Sequence, residues 1–268
     1  MKKRHLLGSY FVRPPRVHSE GYVHHKKTGA RTYSEYNYLR PGIASYFRTR
    51  HFEHALLLTR EHFHKCNVID FGCGDGPFLP SLAKYFNRVL AIDKHPKYIE
   101  LASKVVSSTG LDNVELLCNR DLTSDDIKSK MGNENYHILY LLETLEHVGD
   151  KSNLWGSRVD FIKELSGLID ESGMIVISVP KMIGISFLLQ RLGLFLSGAH
   201  REPISMNNVL RASLFDDTTD LEKRWQGGHL GFNHKKLESH LGKEFHILKK
   251  KTLLFQLVYV CQRRVTDG

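Results

Sequence analysis

A glycine-rich stretch with acidic neighbours is the feature of the sequence best suited to binding a ligand. The glycines are Gly72, Gly74 and Gly76; Asp70 precedes them, and Asp75 lies between the last two. Glycines let the backbone turn sharply and approach a ligand with no Cβ in the way. The spacing is G-x-G-x-G with Pro77 next, so the G-x-G-x-x-G pattern of nicotinamide dehydrogenases is absent. The carboxylates favour a cationic ligand over a pyrophosphate.

A further acidic residue, Asp93, lies seventeen residues after the last of these glycines. A carboxylate at the end of a second strand can accept hydrogen bonds from both hydroxyls of a ribose. Asp93 could instead be an ordinary acidic residue at a strand end without a ligand. Its occurrence together with the glycine loop disfavours that interpretation. The two features together predict a ligand with a ribose and a positive charge.

A parallel sheet is predicted to position these residues. From residue 67 onward, short runs that are apolar throughout alternate with helical segments, as in sheets covered on both faces. The predicted strands are Val68–Phe71, Arg88–Ile92, Val114–Cys118, Ile138–Leu142 and Met174–Val179, with further candidates at Phe245–Leu248 and Leu253–Cys261. The predicted helices are Phe47–His64, Phe78–Phe86, Pro96–Ser108 and Arg158–Ile169. We therefore predict a doubly wound α/β fold with a mostly parallel, seven-stranded sheet.

The glycine loop belongs to a longer pattern that resembles a known family. Asp70-Phe71-Gly72-Cys73-Gly74-Asp75-Gly76, Asp93 and Glu143-Thr144-Leu145-Glu146-His147-Val148 are similar to the class I S-adenosylmethionine-dependent methyltransferases. The resemblance covers about residues 66–180 and is nearest to the broad group that includes the ubiquinone-biosynthesis O-methyltransferases (methyltransferase type 11-like). It implies a Rossmann-like methyltransferase fold, an enzyme, and S-adenosylmethionine as cofactor.

The resemblance also implies which residues bind the cofactor. They are Asp70, Gly72, Cys73, Gly74, Gly76, Asp93, Lys94, Asp121, Leu122 and Leu142. Asp70 and the glycines would shape the methionine pocket, Asp93 would hold the ribose, and Asp121 would meet the adenine amine. The sequence departs from the family where Arg120 stands in place of the usual acid, and where His137 replaces an Asp before the fourth strand.

Two residues after the fourth predicted strand are the candidates for catalysis. Methyl transfer from a sulfonium requires alignment of the acceptor and is helped by a base that removes its proton. Glu146 and His147 lie next to the predicted mouth of the cofactor pocket, and an imidazole suits proton abstraction near neutral pH. A purely structural turn is the alternative, as is a domain that keeps the pocket without catalysis. Methylation at oxygen is the predicted reaction.

The same segment supports a second hypothesis. Glu143-x-x-Glu146-His147 resembles the metal-binding cluster of the small-RNA terminal 2′-O-methyltransferases, which a later histidine completes. His229 is the candidate for that position, and such a cluster would bind Mg²⁺ or Mn²⁺ and polarise a ribose diol. Metal-dependent RNA ribose methylation is therefore the alternative function. The preferred prediction assigns no metal ligand.

An apolar insertion is predicted between the fifth strand and the last helix–strand unit, at residues 181–232. Its part from 182 to 197 is apolar around most of a helical wheel. In the ubiquinone-pathway enzymes the corresponding region meets the membrane, and Gly198-Ala199-His200-Arg201 is similar to a turn found there. The resemblance implies a small-molecule or lipid-linked acceptor and peripheral membrane contact through 182–197. A lid buried against the domain is the alternative.

Charge divides the chain into a basic N-terminal segment, 1–45, and a methyltransferase domain, 46–268. The formal net charge of +9 arises entirely within residues 1–65. A partner that bears phosphate, RNA included, is one interpretation, and a basic arm that packs over the domain is the other. Four scattered cysteines, no apolar signal peptide and no run of 18 apolar residues favour a cytoplasmic protein with free thiols.

Overall fold

Seven strands form one sheet at the centre of the fold, which the computed structural model describes for residues 10–26, 29–196 and 204–264. The strands are β1 (Val68–Phe71), β2 (Val89–Asp93), β3 (Val114–Cys118), β4 (Ile138–Leu142), β5 (Met174–Pro180), β6 (Phe245–Thr252) and β7 (Gln256–Arg263). Their order across the sheet is β3-β2-β1-β4-β5-β7-β6. The first five strands are parallel, and β7 is antiparallel to both β5 and β6. The predicted mostly parallel, seven-stranded sheet is confirmed.

Helices cover both faces of the sheet. They are α1 (Tyr33–Asn37), α2 (Ile43–Thr59), α3 (Leu79–Tyr85), α4 (Pro96–Thr109), α5 (Ser124–Met131), α6 (Leu154–Ser166), α7 (Ile185–Leu196), α8 (Met206–Leu214), α9 (Thr219–Lys223) and α10 (His234–Glu244). Neighbouring residues of β1 point to opposite faces, so Ile69 packs with Ile162 of α6 and Leu241 of α10. Val68 packs on the other face with Leu56 of α2. The fold is therefore doubly wound, as predicted.

Helix α5 and strand β6 are among the elements that differ from the sequence-based expectation, each for a physical reason. Helix α5 was not predicted, because Ile127 is its one buried residue and it carries no apolar stripe. A capping box between Thr123 and Asp126 fixes its start instead. Strand β6 continues to Thr252, beyond the predicted end at Leu248. The prediction stopped early because it relied on apolar residues, whereas an edge strand can expose lysines.

The described part of the N-terminal segment packs along the outside of the domain. The backbone N–H groups of Tyr10 and Phe11 donate to the Glu53 carboxylate on α2, and Val12 donates to Ser81 Oγ on α3 at 2.8 Å. Ser19 Oγ then donates to a Glu100 carboxylate oxygen on α4 at 2.6 Å. The segment thus crosses three helices before it reaches α1.

Helices α7, α8 and α9 occupy the predicted insertion after β5. Met182 and Ile183, which precede α7, and Phe187 within α7 are buried. The exposed apolar side chains of α7 are Ile185, Leu189, Leu192, Phe195 and Leu196. The motif at residues 198–201 lies outside the described residues. Among the residues that the structure describes, no helix combines the length and the apolar character needed to cross a membrane.

Candidate active site

The glycine loop joins β1 to α3 at the carboxyl edge of the sheet, where ligands of open α/β folds bind. Gly72, Gly74 and Gly76 all have positive φ, at 83°, 56° and 82°. A Cβ on Gly72 would lie 2.5 Å from Thr144 Oγ1, which belongs to the segment after β4. Glycine is therefore required at position 72 both by its backbone conformation and by the close approach of a second loop.

Asp93 ends β2 and faces the glycine loop, as the ribose-binding prediction requires. Its Oδ2 accepts a hydrogen bond from Gly74 N at 2.9 Å, and its Oδ1 accepts one from His95 N at 2.8 Å. Each carboxylate oxygen keeps a further lone pair for a ligand hydroxyl. The carboxylate is thus held rigidly between the first two strands.

Asp70 is buried at the end of β1, and its Oδ2 accepts no hydrogen bond from the described residues. Burial, together with the nearby Asp93, raises the pKa of the Asp70 carboxyl group to about 7. A buried oxygen without a donor is costly unless a ligand supplies one. The ammonium group of a bound amino acid would do so, and this orphaned oxygen therefore fits S-adenosylmethionine.

Asp75 is the acidic residue whose role differs from the one inferred from the sequence. It is 1% exposed, and it accepts hydrogen bonds from Ser34 N at 2.8 Å and from Ser34 Oγ at 2.5 Å. Both carboxylate oxygens are thus bonded to the N-terminal segment. Asp75 holds α1 against the glycine loop.

The remaining predicted cofactor residues are divided between buried and exposed positions. Cys73 and Leu142 are buried, and Leu122 is half-buried against the core. Lys94 and Asp121 have exposed side chains. The structure therefore brings Cys73 and Leu142 to the carboxyl edge of β1 and β4, where they can only pack against a ligand.

Asn119 is a candidate cofactor residue that the sequence analysis missed. It follows β3 directly, and its backbone N–H donates to the Asp93 carbonyl oxygen at 3.2 Å. Its side-chain Oδ1 is buried and accepts no hydrogen bond from the described residues. The signal in the sequence was its position directly after a predicted strand. The family resemblance implies an acidic residue at this point, and Asn119 is not acidic, so Asp121 was predicted instead.

Two glutamates follow β4 on the other side of the glycine loop. Glu143 has a φ of 52°, which is unusual for a residue with a Cβ and is typical of strained functional sites. Ser178 Oγ donates to Glu143 Oε1 at 3.3 Å. Glu146 is fully buried, and neither of its carboxylate oxygens accepts a hydrogen bond from the described residues. Burial raises the pKa of both carboxyl groups, and the charge of Glu146 contributes to the shift at Glu143.

His147 is exposed at the mouth of the site, and one ring nitrogen has a fixed partner. Its Nδ1 lies 2.8 Å from the carbonyl oxygen of Gly227. A carbonyl oxygen only accepts, so Nδ1 carries the proton in the neutral ring, and Nε2 holds a lone pair. His147 is therefore in the tautomer that a general base requires.

Glu146, His147 and His229 form a group that could hold a metal ion. One ligand atom from each of the three lies within 4.8 Å of the others. Glu146 Oε1 is 3.7 Å from His229 Nδ1, and the two imidazole rings are 5.6 Å apart and perpendicular. Carboxylate and imidazole ligands suit Mn²⁺ or Zn²⁺. Glu143 does not belong to this group, although the sequence hypothesis included it.

A buried arginine holds together the loop that carries Glu146 and His147 and the loop that carries His229. Arg158 of α6 lies within 5.4 Å of the ring centres of Trp155, Trp225 and Phe232. Its Nε donates to the Val148 carbonyl oxygen at 3.0 Å. Trp225 Nε1 donates to the Glu146 carbonyl oxygen at 2.9 Å. His147 and His229 are neighbours because this aromatic cluster joins their loops, and the spacing of the sequence gives no sign of it.

Comparison with known families identifies the domain that carries this site. Residues 68–159 match a methyltransferase domain family, and the match includes the glycine loop, Asp93 and the segment after β4. No curated protein sequence matches the chain.

Solved structures with the same fold are distant from this chain in sequence. The PH0226 protein of Pyrococcus horikoshii OT3 is 14% identical with a TM-score of 0.54, covering 83% of this chain and 93% of that one. An S-adenosylmethionine-dependent methyltransferase of Clostridium acetobutylicum is 12% identical with a TM-score of 0.51, covering 80% and 91%. The N-methyltransferase NodS of Bradyrhizobium japonicum WM9, in complex with S-adenosyl-L-homocysteine, is 13% identical with a TM-score of 0.50, covering 81% and 87%. These similarities establish the fold.

The fold, the matched domain and the site together define the class of protein. The chain contains a methyltransferase domain, matched over residues 68–159, and it has the fold of S-adenosylmethionine-dependent methyltransferases, whose cofactor is S-adenosylmethionine. The orphaned oxygen of Asp70 and the glycine cradle at Gly72 are compatible with that cofactor.

Proposed function

We propose that the protein methylates a hydroxyl group of a lipid-linked acceptor, which it receives from a membrane surface. The observation that carries this proposal is an apolar face on the two helices that follow β5. On α7, the exposed side chains repeat at helical spacing, and those of α8 do the same. We define the apolar face as Ile185, Leu189, Leu192, Phe195, Leu196, Met206, Leu210, Leu214 and Phe215, each at least 40% exposed.

The position of the apolar face connects it to the site. Strand β5 ends at Pro180, at the same edge of the sheet as the glycine loop and Glu143, and α7 begins five residues later. Gly184 N donates to the Ala212 carbonyl oxygen at 3.1 Å, which ties the start of α7 to α8. An acceptor with an apolar tail could therefore rest its tail beside the face and its head group in the site.

The composition of the two helices favours lipid as the partner. Neither α7 nor α8 contains an Asp or a Glu, so lipid phosphates would meet no like charge on these helices. So many exposed apolar side chains on two neighbouring helices are unusual on a protein that stays in water, and interfacial helices bury such side chains at the boundary of headgroups and acyl chains. A small-molecule acceptor without a tail would leave the face without a role.

Vesicle flotation of matched variants tests the membrane part of the proposal. Leu189 on the apolar face is 52% exposed, and Leu248 on β6 is 48% exposed. We expect the wild-type protein and Leu248→Asp to float with phosphatidylcholine–phosphatidylglycerol vesicles, and Leu189→Asp to stay at the bottom of the gradient. Equal flotation of the two variants would show that α7 is not the contact.

His147 is proposed as the base of the reaction. S-adenosylmethionine, when bound, would supply an activated methyl group for transfer from its sulfur to the acceptor oxygen, with S-adenosylhomocysteine as the other product. His147 Nε2 accepts the proton that the hydroxyl loses, and the Gly227 carbonyl oxygen orients the ring. Glu146, buried behind it, would stabilise the charged imidazolium when ionised.

The variant His147→Asn tests this role. An asparagine amide can still donate to the Gly227 carbonyl oxygen but offers no basic nitrogen. We expect transfer of labelled methyl groups to lipid extracts to fall by about 10²–10⁴-fold, with the affinity for S-adenosylhomocysteine unchanged. A fall of less than threefold would reject His147 as the base.

Metal-dependent methylation of an RNA ribose is the second candidate function. The group formed by Glu146, His147 and His229 favours it, because a cation there would lie beside the site and could polarise a diol. Treatment with a chelator should then abolish methyl transfer to small RNA, and Mn²⁺ should restore it. Activity that survives the chelator would rule this candidate out.

A further inference from the structure

The first turns of α2 present exposed apolar side chains beside the site. Ile43 is 75% exposed and Tyr46 is 47% exposed, and residues at this spacing lie on one side of a helix. The Phe47 ring centre is 5.6 Å from that of Phe255, which lies in the turn between β6 and β7. Strand β7 begins at the next residue and pairs there with the end of β5. The start of α2 therefore lies at the carboxyl edge of the sheet, as the glycine loop does.

The turn between β6 and β7 connects the start of α2 to the beginning of the insertion. Leu254 in this turn is 43% exposed. The Phe255 carbonyl oxygen accepts a hydrogen bond from Lys181 N at 2.8 Å, and Lys181 leads from β5 towards α7. Exposed apolar side chains thus lie on both sides of the turn, on α2 and on α7, at one edge of the sheet.

Arg50 lies one turn further along the same side of α2. Its guanidinium is over the Tyr46 ring, 5.6 Å from the ring centre, and one guanidinium nitrogen is 2.9 Å from His54 Nε2. An arginine only donates, so His54 Nε2 accepts, and burial together with the Arg50 charge lowers the pKa of His54 to about 4. No Asp or Glu occurs between Glu35 and Glu53, and Arg50 forms no ion pair with a described residue.

Lys251 of β6 places a second cation beside α2. It pairs with Val258 of β7, and paired residues point to the same face of a sheet. Lys249 points to that face too and donates to the Leu58 carbonyl oxygen on α2 at 3.0 Å. Two strand residues span about 7 Å, slightly more than one helical turn, and Lys251 is the nearer of the two lysines to the carboxyl edge. Lys251 therefore lies beside the turn that contains His54. It is exposed and has no ion pair among the described residues.

We propose that the start of α2 and the β6–β7 turn form a second contact with the membrane, one that binds anionic lipid headgroups. We define the α2 surface as Ile43, Tyr46, Arg50, Lys251 and Leu254. Its two cations lack an acidic partner among the described residues and complement the phosphate of a headgroup. Its tyrosine suits the boundary between headgroups and acyl chains, because one end of the side chain is apolar and the other polar.

The inference rests on the proposed function, in which the acceptor comes from a membrane. With the apolar face on one side of the β6–β7 turn and the α2 surface on the other, the carboxyl edge of the sheet would face the bilayer. A lipid-linked acceptor could then reach the site without leaving the membrane.

Vesicles with and without an anionic lipid test this inference. At low salt, we expect the wild-type protein to bind phosphatidylcholine–phosphatidylglycerol vesicles more tightly than vesicles of phosphatidylcholine alone. The double variant Arg50→Gln with Lys251→Gln should lower the affinity for the mixed vesicles by about 25-fold, which is about fivefold for each cation, and leave the affinity for phosphatidylcholine unchanged. Lys251→Gln alone removes an exposed charge without touching the Arg50–His54 contact, and it should lower the affinity for the mixed vesicles about fivefold.

A double variant with the same change of charge provides the matched control. Arg60 and Lys65 are both exposed and lie beyond the other end of α2, before β1 begins. We expect Arg60→Gln with Lys65→Gln to bind both kinds of vesicle like the wild type. Equal losses for the two double variants would show that net charge determines binding, and would overturn the inference.

Full retention of binding by Arg50→Gln with Lys251→Gln would also overturn the inference. In either case, loss of flotation by Leu189→Asp would leave the proposed function standing. A wild-type protein that binds neither kind of vesicle would contradict both the inference and the proposed membrane source of the acceptor.

Discussion

Asp70, Asp75 and Glu146 are three carboxyl groups that the fold removes from water at one edge of the sheet. Their partners decide what each can do. Asp75 has two hydrogen bonds from Ser34 and acts as an anchor. Asp70 and Glu146 have oxygens without donors among the described residues, which is typical of groups whose partner is a ligand, a metal ion or a substrate.

The pKa of Asp70 has a consequence for stability. The folded value of about 7 lies above the usual 3.8, so the folded state prefers the protonated group. The contribution to stability is full below about pH 4 and is lost as the pH rises through about 7. We expect the wild-type free energy of unfolding, relative to that of Asp70→Asn, to fall by on the order of 3 kcal/mol over this range. Urea unfolding at several pH values measures it, and parallel profiles for the two proteins would contradict it.

At the scale of elements, the site is formed where segments from distant parts of the chain meet. The segment after β4 approaches the glycine loop at Thr144 and the turn around residues 227–229 at His147. Arg158 and its aromatic neighbours hold the segment after β4 and this turn together. The geometry of catalysis therefore depends on loop packing as much as on the strands that carry the loops.

The close approach of two of these loops predicts unequal effects of two alanine substitutions. Gly72→Ala would place a Cβ 2.5 Å from Thr144 Oγ1, whereas a Cβ on Gly74 would meet nothing within 4 Å. Both residues have positive φ, so both substitutions carry a backbone cost of about 1 kcal/mol. We expect Gly72→Ala to lower the free energy of unfolding by roughly 2 kcal/mol more than Gly74→Ala. Equal losses in urea unfolding would mean that the Thr144 loop moves aside freely.

At the scale of the whole molecule, the net positive charge and the apolar face belong to different parts of the chain. The net charge of +9 belongs to residues 1–65, and the apolar face belongs to α7 and α8. Both could draw the protein to an anionic membrane, but they respond differently to salt, because salt screens charges and does not weaken apolar burial.

Salt therefore separates the two contributions to vesicle binding. We expect flotation to persist in about 1 M NaCl, where the Debye length is ~3 Å. If the basic segment were the main anchor, binding would instead decline steeply with salt concentration, as it does for proteins held by phosphate contacts. Flotation across a salt series, with Leu189→Asp as the control without the apolar anchor, makes the comparison.

The sheet and the glycine loop are the parts of the fold that neighbouring residues suffice to predict. Strands such as Val68–Phe71 and Ile138–Leu142 are continuous apolar runs, and the glycine spacing that follows the first of them is local, so both could be predicted from neighbouring residues. The sequence does not predict which side of α7 is exposed, because an apolar helix can be either a buried lid or a surface anchor.

Contacts between residues that are distant along the chain could not be predicted in this way. Ser34 is 41 residues from Asp75, and Trp225 is 79 residues from the Glu146 carbonyl oxygen to which it donates. The structure also shows that Asp75 is an anchor, and that Asn119 has a buried oxygen that no donor among the described residues contacts. Spacing along the chain determines local periodicity, whereas contacts across such separations depend on how the helices and loops pack.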